Sequence, residues 1–231
     1  MSDVDGLGTP RVLLVGAVFL GLLVTTLVML AVRLTSGDTP ALTLSSKAAR
    51  AATPPRPLSP DETYVRTEVL PSGDLEVTQW IQSSVLLFTV QLTVPSATGT
   101  GTVGVEDVHV TVDGEETTTP PLVDGPSRTY TFLGTRSVQV RYRLTGAVET
   151  STSAPGRGLV RVSSLDVTYE PPSARVTRSV LAAEVLSLAC SPPVPGAAST
   201  PCGTQDDATA WTVDLTGERA DDLVLAQVTL E

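Results

Sequence analysis

From residue 61 onward the chain is written in short runs of alternating apolar and polar residues, punctuated by glycine, proline, aspartate and serine. Successive side chains of a strand point to opposite faces, so a period of two predicts half-buried β-strands. Val65, Thr67 and Val69 share one face, and Pro71-Ser72-Gly73-Asp74 turns the chain into Leu75 and Val77, which predicts a hairpin. Leu86, Phe88, Val90, Leu92 and Val94 alternate as far as Pro95, which has no N–H for a ladder and ends it. In "VGVEDVHVTVDG" the apolar positions change parity between Val105 and Val108, which predicts a bulge at Glu106 and Asp107, with a turn at Asp113-Gly114. Tyr130 and Phe132 mark one strand, and Val138, Val140, Tyr142 and Leu144 the next, with Gln139, Arg141 and Arg143 on a wet face. Leu165, Val167 and Tyr169 alternate up to Pro171-Pro172. "SVLAAEVLSLAC" fits a strand and, through Leu181, Glu184, Val185 and Leu188, also a helical face; its surroundings favour strand. Trp211, Val213 and Leu215, then Val224, Ala226, Val228 and Leu230, complete the series. About nine to eleven short strands at this spacing predict an all-β fold, an antiparallel β-sandwich over 61–231.

Before residue 61 the pattern is different. Val12 to Val32 carries no charge and is bracketed by Arg11 and Arg33. As a helix it would cover roughly 30 Å, the hydrocarbon thickness of a bilayer, so 12–32 is expected to be a transmembrane helix with lipid as its partner. A cleaved signal peptide would have an apolar stretch of about 7–15 residues and a small-x-small cleavage site, which "RLTSGDTP" does not supply. Residues 1–11 are then a short cytoplasmic tail. Residues 33–60, rich in proline, alanine, serine and threonine, form a disordered or extended linker in which Lys47, Arg50 and Arg56 are solvated charges. Arg33, Lys47 and Arg50 outweigh Arg11 in the positive-inside count, but long domains cross largely regardless of charge, and the Thr-rich, lysine-free sequence that follows is expected outside the membrane.

Charge narrows the partners. The chain of 231 residues has a formal net charge of −10, and Lys47 is its only lysine. Such a chain repels a phosphate backbone, and its arginines build no basic stripe, so nucleic acid is not an expected partner.

Three stretches carry a resemblance. "YVRTEVLPSGDLEVTQWIQ", "VEDVHVTVDG" and "TYTFLGTRSVQVRYRLTGAV" resemble the opening, middle and return strands of a bacterial predicted-membrane-protein family of unknown function, and "PCG", "WTVDL" and "LAQV" are similar to the end of the same domain. Gln79 stands where that family often has Glu, and the membrane helix that typically follows the domain is missing. The resemblance implies an extracytoplasmic β domain in the cell envelope. It implies no catalytic residues.

The candidate chemistry is sparse. His109, the only histidine, falls on the face opposite Val108 and Val110, and no Gly-x-Ser-x-Gly elbow accompanies it, which argues against a serine hydrolase. The carboxylate pairs Glu106-Asp107, Glu115-Glu116, Asp206-Asp207 and Asp221-Asp222 put neighbours on opposite faces, a poor arrangement for acid/base work across a sugar. A calcium site joining Asp206, Asp207, Asp221 and Asp222 is conceivable, although the Asp-x-Asp-x-Asp-Gly spacing is lacking. Two cysteines and one histidine fall short of the four ligands of a structural zinc site. Cys190 and Cys202 flank "SPPVPGAASTP", and in an oxidising compartment they are expected to form a disulfide. The expectation is a membrane-anchored binding or scaffolding module for an unidentified envelope protein or polymer, not an enzyme, with no metal, cofactor or catalytic residue assigned. The alternatives are a sortase-like cysteine transpeptidase using Cys190, and a carboxylate-dependent glycosidase.

Overall fold

The computed structural model describes residues 53–95, 102–117, 127–161, 163–194 and 196–230. These form fourteen strands: β1 Glu62–Val69, β2 Leu75–Thr93, β3 Gly104–Val112, β4 Glu115–Glu116, β5 Ser127–Thr145, β6 Val148–Thr150, β7 Arg157–Val160, β8 Asp166–Thr168, β9 Arg175–Leu181, β10 Glu184–Ser191, β11 Thr200–Pro201, β12 Thr204–Asp207, β13 Ala210–Thr216 and β14 Leu223–Thr229. The described chain is therefore almost entirely β. The count exceeds the expected nine to eleven because β4, β6, β7, β8, β11 and β12 are ladders of four residues or fewer.

The strands form two sheets. The larger runs β12-β13-β9-β1-β2-β5-β3-β4, with β8 also on β2, and the smaller runs β11-β10-β14-β7-β6. Inward positions of both sheets, among them Val65, Val77, Val140, Val180 and Val213 from the first and Val160, Val185, Leu188, Val224 and Val228 from the second, belong to one buried cluster. Fully burying one such side chain contributes about 1.5–3 kcal/mol, and β-branched residues suit a pleated surface packed on one side. The predicted hairpin is present, with Val69 opposite Leu75 and the Leu70 carbonyl accepting from Gly73 N–H. The ladder between β3 and β5 shifts register between Glu106 and His109, where the bulge was predicted, and Asp107 has φ 53°. Asp113 (φ 49°) and Gly114 (φ 87°) close the two-residue turn into β4, as a twist-matched hairpin requires.

Three expectations are corrected. The larger sheet is mixed, because β1 and β9 pair in parallel; β9 is reached only after an excursion through β6 and β7 of the other sheet, so it returns in the same direction as β1. Tyr130 and Leu144 lie on one strand of 19 residues, since Gly134 passes through an irregularity of the β2–β5 ladder instead of turning the chain. That irregularity, between Gln82 and Thr89, breaks the predicted alternation: Leu87 and Val90 are buried, whereas Leu86 and Phe88 are 49% and 56% exposed. The favoured strand reading of "SVLAAEVLSLAC" holds, with a break at Ala182-Ala183 that puts its halves, β9 and β10, in different sheets.

Cys190 and Cys202 are joined by a disulfide. The bond ties β10 of the smaller sheet to the segment between β11 and β12, where the chain returns to the larger one. Among the described residues no helix is long and apolar enough to cross a membrane. The span expected over 12–32 lies outside the described residues, as do the tail 1–11 and the linker as far as residue 52.

Candidate functional site

The register of the larger sheet sets up two rows of side chains back to back. Val140, Gln79, Val65, Arg178 and Val213 are successive partners across β5, β2, β1, β9 and β13, so they share the inner face. Trp80, Tyr64, Thr177 and Asp214 are the corresponding partners on the outer face. Two polar residues thus interrupt an otherwise apolar inner row. A loop that includes β8 lies beside them there: its residues from Ser163 to Ser173 line the same cleft as Gln79 and Arg178.

The loop's polar groups are held by the sheet beneath. Thr67 Oγ1 donates to the Ser163 carbonyl at 2.8 Å. The Tyr142 hydroxyl accepts from Leu165 N–H at 2.8 Å and from Gln79 Nε2 at 2.5 Å, and burial pushes the phenol's pKa up, with both hydrogen bonds opposing. Arg178 Nη1 donates to Ser164 Oγ at 2.7 Å and to Ser163 Oγ at 3.4 Å.

Between loop and sheet lies a cleft of about 810 Å³. Thr63, Gln79 and Arg178 come from the larger sheet, Ser163 to Ser173 form one wall, and Ala220, Asp221, Leu223 and Val224 bring in the start of β14. The volume is that of a small-molecule site. Thr63 Oγ1, the Tyr169 hydroxyl and Ser173 Oγ stand 2.5 to 2.8 Å apart in a closed triangle. With each hydroxyl proton directed within the ring, the lone pairs left over make this wall an acceptor surface.

Arg178 is the unusual member. Its only hydrogen-bond partners among the described residues are the two serine hydroxyls, both on Nη1; Nε is buried without a partner, and no carboxylate lies within ion-pair distance. Burial lowers its pKa, opposed by the Tyr142 phenol and by the carboxylates of Asp166 and Asp221. Asp166 also lines the cleft, and burial holds its carboxyl above the usual aspartate range, with Arg178 opposing and Asp221 adding.

The residues singled out from sequence are elsewhere. His109 lies on β3 with Nδ1 at 2.5 Å from Glu116 Oε1, on an exposed surface. Cys190 is in the disulfide, so it presents no thiol to a transpeptidase mechanism. Asp206 accepts from Thr212, Asp207 from Thr209, and Asp222 pairs with Arg219 at 3.0 Å. Only Asp221 of the four reaches the cleft, and among the described residues no group of three or more His, Cys, Asp and Glu is placed to hold a metal ion. Arg56 is not a solvated linker charge: its Nη2 pairs with Glu62 at 2.5 Å and donates to Thr177 Oγ1 at 3.0 Å, and its guanidinium lies 5.7 Å from the Tyr64 ring centroid. Sequence reading missed Arg178. The available signal was an arginine flanked by Val176 and Val180 on one face of "RVTRSVL".

No family model matches the chain, and no curated protein matches it. Among solved structures it is similar to an aminopeptidase N family protein from Idiomarina loihiensis, at 12% identity and TM-score 0.41 over 71% of this chain and 29% of that one. A protein of Legionella pneumophila that carries a provisional nutrient-binding assignment aligns at 14% identity and TM-score 0.42, covering 73% of this chain and 66% of that one. An M1 zinc metallopeptidase from Deinococcus radiodurans aligns at 15% identity and TM-score 0.32, covering 71% and 41%. The chain thus spans less than two thirds of the length of each. At these scores the likenesses carry no argument about activity.

Proposed function

We propose that the chain is a single-pass, membrane-anchored binding module of the cell envelope. Residues 1–11 stay in the cytoplasm, 12–32 cross the bilayer, and an extracytoplasmic β-sandwich presents the Arg178 cleft to an envelope protein or polymer. One observation carries this reading: a small-molecule-sized cleft contains a guanidinium that no carboxylate of the described protein pairs. A part-buried charge left in that state is costly, and a bound anion relieves it. The apolar run at 12–32 and the family resemblance support the location.

Photo-crosslinking in intact cells tests the reading. A crosslinking residue in place of Glu170, exposed at the cleft, is expected to capture an envelope component that the same residue in place of Glu115, on β4, does not. Equal capture at both positions would refute the cleft as the binding surface. A reporter fused after Glu231 and active only in the cytoplasm would overturn the location.

A second reading has one observation in its favour. Asp166 and Asp221 line the same cleft, and partial desolvation raises the pKa of Asp166, the direction a glycosidase acid requires. Release of reducing ends from envelope glycan, abolished by both Asp166→Asn and Asp221→Asn, would favour that enzyme over the binding module.

A further inference from the structure

We infer that the cleft takes a polyhydroxylated monocarboxylate, the chemistry of a sugar acid, with the ligand's carboxylate on Arg178. The inference rests on the reading of the cleft as a binding site and adds the class of ligand.

A guanidinium has two edges that match a carboxylate in fork geometry. Nη1 of Arg178 is engaged with Ser164, whereas Nε and Nη2 have no partner among the described residues, so the edge they share is the one left for an incoming anion. Nε is covered in this structure, and the ligand's carboxylate reaches Nη2 first from the cleft that Arg178 lines.

The rest of the lining fixes the ligand's charge. Asp166, Glu170 and Asp221 face the same cleft, and the other cation there, Arg161, is already paired with Glu149. A phosphate dianion would meet three carboxylates against one unpaired guanidinium. A single carboxylate matches the single positive charge and adds the least repulsion. Several groups of the wall accept hydrogen bonds, namely the leftover lone pairs of the Thr63, Tyr169 and Ser173 triangle and the oxygens of Asp166 and Asp221, while the Ser163 and Ser164 hydroxyls, which accept from Arg178, can still donate. A wall of acceptors with a few hydroxyl donors calls for a body whose groups both donate and accept, as sugar hydroxyls do. A ring of hydroxyls bearing one carboxylate meets both requirements, and about 810 Å³ accommodates one or two sugar units.

Isothermal titration calorimetry on the full-length chain in detergent micelles tests the inference, with glucuronate, glucose and inorganic phosphate as probes. Glucuronate is expected to bind at least tenfold more tightly than glucose or phosphate. Arg178→Met is expected to abolish that preference, and Arg178→Lys, which keeps the charge but loses the fork, to retain part of it. Thermal unfolding of both variants reports whether they are folded. Tighter binding of phosphate, equal binding of glucose, no binding of any probe, or a preference that survives Arg178→Met would each overturn the ligand class. The binding-module reading falls separately, on the cellular crosslinking.

Discussion

Two arginines meet the β1–β9 pair from opposite sides, and their surroundings differ in one respect. On the outer face Arg56 is held by the carboxylate of Glu62, which is 1% exposed and also accepts from Ser59 N–H. On the inner face Arg178 follows Thr177 directly in sequence and has only serine hydroxyls. Both are anchored by hydrogen bonds to side chains. Only Arg56 has its charge neutralised by an adjacent group. An arginine that serves the fold is expected to look like Arg56, with its counter-charge supplied by the protein. Arg178 anchors the loop through Nη1 alone and leaves the opposite edge free.

If this distinction is correct, removing the two guanidiniums has different consequences for stability. Arg56→Met strands the Glu62 carboxylate in a buried position, which is expected to cost about 2–3 kcal/mol; part of the usual effect of breaking a buried pair is lost because Arg56 is itself 41% exposed and screened by water. The cost should depend on pH. In the native protein the Arg56 hydrogen bond outweighs burial and holds the Glu62 carboxyl below the usual glutamate range. A depressed pKa contributes stability that is present above the unfolded value, about 4.3, and is lost as pH falls through the folded one. Without Arg56, burial is opposed only by the Ser59 N–H and the charge of Arg175, so the folded pKa rises and the contribution above the unfolded value shrinks. Urea unfolding should therefore show the Arg56→Met deficit at pH 7 and its shrinkage toward pH 4. A deficit that did not change with pH would mean that Arg56 acts through packing on Tyr64 instead of through charge.

The loop over Arg178 supplies a smaller effect. Tyr142→Phe keeps the ring and removes the acceptor for Leu165 N–H and Gln79 Nε2. Leaving buried donors unmade costs about 1–3 kcal/mol each, but these lie beside a cleft through which water can reach them, and Gln79 retains the Leu165 carbonyl at 3.4 Å. A loss of about 1–2 kcal/mol is expected, with faster amide exchange confined to the segment around 163–169. Exchange that quickened equally on the outer face, at Thr177 and Asp214, would show that the two faces are not independent.

What could be read from sequence follows the same division. A period of two reports which face of a strand is buried, so the hairpin at Gly73, the bulge at Asp107 and the turn at Asp113-Gly114 were legible as local chemistry. It does not report which strands meet. The parallel β1–β9 pairing joins residues more than a hundred positions apart, and it is this register that brings Arg178 between Val65 and Val213. Leu86 and Phe88 misled the pattern for a related reason: the ladder slips at Leu87, and a one-residue shift exchanges the faces. The disulfide was legible because its two cysteines lie 12 residues apart around a proline-rich loop. The cleft was not, because its wall is a segment whose hydrogen bonds run to Thr67, Gln79 and Tyr142 on three different strands.

Arg178→Met is the smallest perturbation and the most discriminating. The substitution removes a part-buried charge without stranding another, since no carboxylate pairs with it, and methionine fills a similar volume in a row that already contains Val65 and Val213. Replacing a part-buried, unpaired cation by a packed apolar side chain removes a desolvation cost, as replacing buried ion pairs by apolar residues often does. Against this stands the loss of the Nη1 bond to Ser164, whose hydroxyl can turn to water in the cleft, at about 1 kcal/mol. The two nearly cancel, so stability is expected within about 1 kcal/mol of the native protein by urea unfolding at pH 7. A loss as large as that of Arg56→Met would place Arg178 with Arg56, as a structural arginine whose serine contacts are enough for its charge. An unchanged or higher midpoint would mean that the fold has no need of the guanidinium at a position where it is costly to keep, and that the group it serves binds from outside the chain.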